Sequence, residues 1–65
     1  MNEVLEKMVG KRCIVQADGD ISGTVGMIKQ VSGGWLELEN DKGLTVAINT
    51  LFITQVKEAP EKKKK

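Results

Sequence analysis

The sequence predicts an all-β domain, in which a short N-terminal helix is followed by five strongly bent antiparallel strands that close into a small barrel. The strongest signal is residues 33–49, where apolar and polar residues alternate on both sides of a turn at 40–43. Such alternation is typical of a β-hairpin with one buried face, and the turn glycine supplies positive φ. The core face of this hairpin is predicted to consist of Leu36, Leu38, Leu44, Val46 and Ile48. Short strands between tight turns favour closure, because a closed barrel has no unpaired strand edge.

The helix is predicted at the start of the chain, where apolar residues recur with helical spacing and Gly10 provides a left-handed end. Its apolar stripe consists of Val4, Leu5 and Met8. The period changes to two after Lys11, which predicts a first strand that ends at the turn dipeptide Asp18-Gly19. The core face of that strand is predicted to consist of Cys13, Val15 and Ala17.

The second strand, roughly residues 20–31, contains two glycines and a change of parity. Ile21 and Val25 share one parity, whereas Ile28 has the other. A strand that buries both of its ends therefore needs a bulge, which we expect near Gly26. Bent strands that contain glycine are how small barrels turn their corners.

The last part of the domain loses the alternation once and then regains it. Residues 49–52 are predicted to form a single helical turn, and Ile53 and Val56 to belong to a short closing strand. Residues 1–58 are therefore expected to be one barrel domain. Residues 59–65 are expected to be a disordered basic tail, because they have no apolar partner.

The residue inventory argues against catalysis and against bound cofactors. The chain has one cysteine, Cys13, and no histidine, so neither a disulfide framework nor a zinc site of the usual ligand types is expected. The serines and threonines lack a histidine to activate them, and Glu37 and Glu39 lie on the wet face of a strand. We expect no enzyme activity, no metal and no cofactor. Cys13 is expected to be a small core hydrophobe, with a reactive thiol as the alternative.

The sequence carries no sign of insertion into a membrane. Its apolar runs are shorter than the roughly 18 residues of a membrane-spanning helix. The N-terminal residues lack the layout of a signal peptide. A cytoplasmic location is therefore expected.

The basic charge of the chain is concentrated in its tail. The net charge is +1, yet four of the ten basic residues are Lys62, Lys63, Lys64 and Lys65. Residues 1–60 therefore carry six basic against eight acidic side chains, a net charge of −2. A nucleic-acid-binding surface usually has the opposite balance, with lysine and arginine clustered on the folded domain.

Residues 4–56 resemble the Sm-like family of small β-barrels. The resemblance lies in small and apolar positions, which are Gly10-Lys11 after the helix, Asp18-Gly19, Gly23, the pair Leu36 and Leu38, the run Val46-Ala47-Ile48 and the final strand with Ile53 and Val56. Barrels of the SH3-like type, which have other strand orders, share much of this pattern and stay an alternative.

The resemblance implies ring-shaped oligomers, made by strand pairing between neighbouring subunits, with RNA bound at the pore. The residues that contact RNA in the family do not carry over. Val-Ser-Gly-Gly-Trp at 31–35 stands where Sm-like proteins place an Asp, an aromatic or apolar residue and a Met-Asn pair. Asn49 and Thr50 stand where those proteins have Arg-Gly. The resemblance therefore supports the fold better than it supports RNA binding.

Two groups of residues are candidates for contact with a partner. The interface candidates, all predicted on the outer face, are Trp35, Ile14, Met27 and Ala47. The nucleic-acid candidates are Asn49, Lys62, Lys63, Lys64 and Lys65. Trp35 has three interpretations, because a tryptophan here can cover the mouth of the barrel, anchor an interface or stack on a base.

The function predicted from the sequence is that of a non-catalytic interaction module. It associates with itself or with another protein, through an exposed strand edge and the region around Trp35. The alternative is RNA binding by an Sm-like protein whose lysine tail supplies the positive charge; such a tail by itself gives only weak, salt-sensitive attraction.

Overall fold

The computed structural model describes residues 2–60, which form one short helix, five strands and one turn of 3₁₀ helix. In chain order these are α1 (Asn2–Glu6), β1 (Arg12–Ala17), β2 (Thr24–Ser32), β3 (Trp35–Asn40), β4 (Thr45–Asn49), the 3₁₀ turn (Thr50–Phe52) and β5 (Ile53–Glu58). Of the predicted tail, Ala59 donates its N–H to the carbonyl of Arg12, and residues 61–65 lie outside the described part.

All five strands belong to one antiparallel sheet with the order β4-β3-β2-β1-β5. The predicted all-β fold with a short N-terminal helix is confirmed. The predicted closure is not confirmed, because β4 and β5 lie at opposite ends of the strand order and the sheet of residues 2–60 stays open. The sheet therefore has two edge strands, β4 and β5.

The 3₁₀ turn explains why β5 lies beside β1 and not beside β4. At its start, the N–H of Thr50 donates to the carbonyl of Gly34 at 2.9 Å, next to β3. At its end, the carbonyl of Phe52 accepts from the N–H of Asp18 at 2.6 Å, next to β1. Three residues thus carry the chain from one end of the sheet to the other.

The core is small and comes from both the helix and the strands. Its buried residues are Leu5, Cys13, Val15, Ile28, Leu36 and Leu38. Half-buried residues packed against them are Met8, Val31, Val46, Ile48, Ile53 and Val56. The predicted alternation is therefore confirmed for β3, for Cys13 and Val15 of β1, and for Val46 and Ile48 of β4, whereas Ala17 is not among the core residues. Cys13 is fully buried, and burial, followed by the nearby carboxylate of Glu58, raises the pKa of its thiol.

The bulge in β2 lies three residues after the predicted position. Gly26 pairs regularly with Cys13 on one side and Asn40 on the other. The register with β3 shifts between Ile28 and Gln30, so that Lys29 is the additional residue. Gly26 and Ile28 therefore face the core before the bulge, and Val31 faces it afterwards.

Ile21 and Val25 do not belong to the core, and the prediction that they do is wrong. Ile21 is 93% exposed and precedes the strand. Local hydrogen bonds hold its segment as a turn, because Gln16 Nε2 donates to the carbonyl of Ile21 and Asp20 accepts from the N–H of Ala17. Val25 pairs with Ile14 on the outer face of the sheet.

Leu44 is also exposed, at 60%, although the alternation places it on the core face. The side-chain oxygen of Asn40 accepts hydrogen bonds from the N–H groups of Lys42 and Leu44, both at 2.9 Å. Gly43 supplies a φ of 84° within this turn. The turn therefore extends through Leu44, and β4 begins one residue later than the pattern suggests.

Within residues 2–60, no helix has the length and apolar character needed to cross a membrane.

Gly26 has no space for a side chain, and this makes a test of the packing. A Cβ at this position would lie 2.5 Å from the carbonyl oxygen of Glu39 and 2.6 Å from a methyl group of Leu38. We expect Gly26→Ala to lower the free energy of unfolding by about 3 kcal/mol, as overpacking of a core does. Urea denaturation measures the change.

The control for that measurement is Gly33→Ala. Gly33 has a φ of 59° and nothing within 4 Å of its ideal Cβ, so only backbone strain of about 1 kcal/mol is expected. A stability of Gly26→Ala equal to that of the unaltered protein would contradict the close packing of β2 against β3.

Candidate interaction surface

The outer face of the sheet is the side opposite the core, and direct pairing across strands defines its members. Residues that pair directly project from the same side of a sheet. The residues on the outer face are Arg12, Ile14, Gln16, Val25, Met27, Gln30, Ser32, Trp35, Glu37, Glu39, Thr45, Ala47, Asn49, Gln55 and Lys57. All four predicted interface residues therefore lie on it.

These four residues form two separate pairs. Ile14 and Met27 are diagonal neighbours on β1 and β2, since Arg12 lies directly opposite Met27. Trp35 and Ala47 are diagonal neighbours on β3 and β4. Diagonal positions in an antiparallel pair are about 7–8 Å apart, within reach of large side chains.

Acidic residues separate the two pairs. Glu37 lies directly opposite Ala47, and Glu39 lies directly opposite Met27. Glu39 also forms an ion pair with Lys29, at 3.5 Å between Nζ and Oε1. The structure therefore does not bring the predicted residues into one apolar patch.

A surface depression of about 280 Å³ lies beside the Met27 position. It is lined by Arg12, Met27, Lys29, Glu39, Asn40 and Asp41. Arg12 donates two hydrogen bonds to the carboxylate of Asp41, at 2.7 Å from Nη2 and 3.3 Å from Nε. This hydrogen bonding raises the pKa of Arg12. Both cations of the depression are paired with carboxylates, so an anionic ligand would have to displace those partners.

Trp35 is half exposed, at 48%, as the first residue of β3. It lies directly opposite Ser32 on β2 and Asn49 on β4. The indole is therefore not part of the core, and it has surface left for contact with a partner.

Asn49, at the end of β4, stabilises the 3₁₀ turn that follows the strand. Its side-chain oxygen accepts a hydrogen bond from the N–H of Leu51 at 2.9 Å, which caps the 3₁₀ turn. This hydrogen bond gives Asn49 a role within the fold that does not depend on a nucleotide. The other nucleic-acid candidates, Lys62, Lys63, Lys64 and Lys65, lie outside the described residues.

Exposed apolar residues flank β4, and sequence reasoning missed them. Leu44 precedes the strand, and Leu51, which is 86% exposed, follows it together with the exposed Phe52. One feature of the sequence could have revealed these exposed apolar residues: residues 44–56 contain no charged side chain, in a chain that is 29% charged.

Hydrogen bonds at both ends of β4 show which of its backbone groups point outwards. The N–H of Asn40 donates to the carbonyl of Leu44, and the N–H of Thr50 donates to that of Gly34. Hydrogen-bonded pairs alternate with non-bonded ones in an antiparallel ladder. Val46 and Ile48 therefore bond to β3. The residues whose N–H and C=O groups point to the open edge are Thr45, Ala47 and Asn49.

In the described part of the chain, no group of three or more His, Cys, Asp or Glu residues is arranged to hold a metal ion.

Comparisons with protein-family models, with curated proteins and with solved structures found no match. The Sm-like resemblance therefore stays a prediction from the residues that carry it.

The capping role of Asn49 can be tested by stability. Asn49→Ala removes the acceptor for Leu51 and should lower the free energy of unfolding by about 1 kcal/mol, as the loss of a helix cap does. Asn49→Asp keeps an acceptor and should stay closer to the unaltered protein in urea denaturation. Equal stability of all three proteins would show that the cap does not contribute.

Proposed function

We propose that this protein is a non-catalytic interaction module that binds a partner strand at an open edge of its sheet. The partner is a second copy of the chain or another protein. The observation that carries the proposal is the edge of β4, which pairs with no strand of residues 2–60 and carries no charge.

The two edges of the sheet differ in how well they are protected. Natural proteins protect exposed edges with charged side chains, prolines, bulges or a covering segment. The β5 edge carries Lys57 and Glu58, and Glu58 forms an ion pair with Lys11 at 3.1 Å. Its register with β1 also shifts next to Ala17. The β4 edge has neither charges nor a register shift.

Apolar surface around β4 adds to what the backbone offers. Leu44, Leu51 and Phe52 are exposed at the two ends of the strand, and Trp35 is half exposed beside it. Addition of a strand obtains affinity from main-chain hydrogen bonds and specificity from alternating side chains. Tryptophan is enriched among the residues that dominate binding energy. The Trp35 and Ala47 pair is therefore the favoured half of the predicted interface.

We further propose that the fold is of the Sm-like or SH3-like type, with its sheet left open between β4 and β5, and that the protein is cytoplasmic. The short helix before five antiparallel strands supports the first point. The single cysteine, buried as a free thiol, fits a reducing compartment.

RNA binding has less support than protein association. Residues 1–60 have a net charge of −2, and the side-chain oxygen of Asn49 is used within the fold. Positive charge for RNA would have to come from residues 62–65.

Trp35→Ala tests the proposed location of the interface. Sedimentation or light scattering over a range of concentrations would measure self-association, and pull-down of a strand-forming partner would measure binding to another protein. We expect Trp35→Ala to weaken association about tenfold or more, as a hot-spot residue does. The matched control is Met27→Ala, because Met27 is 40% exposed on the other pair and should leave association unchanged. The opposite order of effects would place the interface at Ile14 and Met27.

The RNA alternative is tested by a titration with single-stranded RNA at several salt concentrations. We expect weak binding that disappears at physiological salt, and that disappears at every salt concentration when residues 62–65 are removed. RNA binding that persists at physiological salt without those residues would favour RNA over protein as the partner.

A further inference from the structure

We infer that the partner at the β4 edge is a second copy of this chain, which pairs antiparallel with β4 about a two-fold axis through Ala47. The two sheets then form one continuous sheet. This inference rests on the proposed function, and it adds the identity of the partner and the register of pairing.

The backbone of β4 is complementary to itself in this register. The outward-facing groups belong to alternate residues, Thr45, Ala47 and Asn49. With Ala47 opposite Ala47 of the second copy, Thr45 lies opposite Asn49 of the second copy. Each of these positions is then a hydrogen-bonded pair, in which both residues exchange N–H and C=O. Every outward-facing backbone group of the strand obtains a partner.

The side chains of β4 are complementary to themselves in the same register. On the core side, half-buried Val46 lies opposite Ile48 of the second copy, so both gain apolar cover. On the outer side, the polar Thr45 and Asn49 face each other, and the centre is two small alanines. No charge of either strand is brought against a like charge.

The exposed leucines at the ends of β4 fit a second copy as occupant. One step beyond Thr45, the same register brings Leu44 beside Thr50 and Leu51 of the second copy. Both leucines are more than half exposed in the single chain. A specific interface takes about 800 Å² from each partner, more than five edge residues supply alone. These flanking side chains supply further apolar area.

Pairing of β4 with β5 of another copy fits the two strands less well. Val46 and Ile48 are two residues apart, whereas the core residues of β5, Ile53 and Val56, are three apart because its register shifts. Only part of such a pairing would keep apolar opposite apolar. The β5 edge also carries Lys57 and Glu58. Unlike strands would produce rings or filaments, whereas β4 with β4 closes as a dimer.

A proline at position 47 tests the interface while leaving the hydrogen bonds within the single chain in place. The N–H of Ala47 points to the open edge, so Ala47→Pro removes a donor of the interface but no hydrogen bond to β3. Proline is tolerated in edge strands at such positions. We expect the 65-residue chain to have twice its 7.1 kDa mass by light scattering. Ala47→Pro should raise the dimer dissociation constant on the order of thirtyfold, from two lost hydrogen bonds.

The matched control is Glu58→Pro on the other edge. Ala59 donates its N–H to the carbonyl of Arg12, so the N–H of its neighbour Glu58 points away from β1. Glu58→Pro should leave the mass of the dimer unchanged. An assembly larger than a dimer that is weakened by both prolines would overturn the β4–β4 pairing and leave association at an open edge standing.

A second variant keeps the test valid if circular dichroism shows that Ala47→Pro unfolds. Ala47→Lys places a lysine opposite Glu37 within the chain, where their charges attract, but opposite another lysine across the two-fold axis. It should raise the dimer dissociation constant about fivefold, because directly opposed like charges destabilise strand pairing. A dissociation constant that Ala47→Lys leaves unchanged would overturn the inference alone. A protein that stays monomeric at its highest attainable concentration, with no other strand partner, would overturn both the inference and the proposed function.

Discussion

The close approach of β2 and β3 at Gly26 is the constraint on which the rest of the sheet depends. Gly26 lies between Cys13 and Asn40 in the centre of the strand order, where a methyl group would collide with the backbone of β3. The lack of a side chain there lets the middle strands pack closely over a small core, in which six apolar side chains of residues 2–60 are buried. The bulge at Lys29 then returns Val31 to the core face. The sequence pattern predicted the bulge at the glycine itself. In the structure, the close approach of the strands is at Gly26 and the bulge is at Lys29.

The placement of charge makes the two ends of this sheet chemically different. Lys11 and Glu58 form an ion pair across β1 and β5, and Arg12 and Asp41 tie β1 to the turn after β3. Such exposed pairs contribute little to the free energy of unfolding. The pair of Lys11 and Glu58 makes the β5 edge polar. No charge interrupts the chain from Leu44 through β4, and for this reason we propose that edge as the place where an external strand pairs.

The alternation of apolar and polar residues predicted correctly the strands that bury one face regularly. The pairs Leu36 and Leu38, and Val46 and Ile48, lie where the two-residue period places them, because nothing local competes with burial there. The period failed at Ile21 and Leu44, where side chains of Gln16 and Asn40 bond to nearby backbone and hold turns. The division of the outer-face residues into two pairs could not be predicted either. It depends on which residues of separate strands lie opposite each other, and the bulge that determines this has no distinct residue type.

The pairing of β1 with β5 has a consequence for biosynthesis. Cys13 lies opposite Glu58, so β1, which is synthesised early, can pair with β5 only after β5 has been synthesised. Contacts between residues so far apart in sequence slow folding, since a long loop must close before they form. A ribosome-bound chain that ends before β5 leaves β1 without its outer neighbour. The domain is therefore expected to complete its folding only after Glu58 has left the exit tunnel.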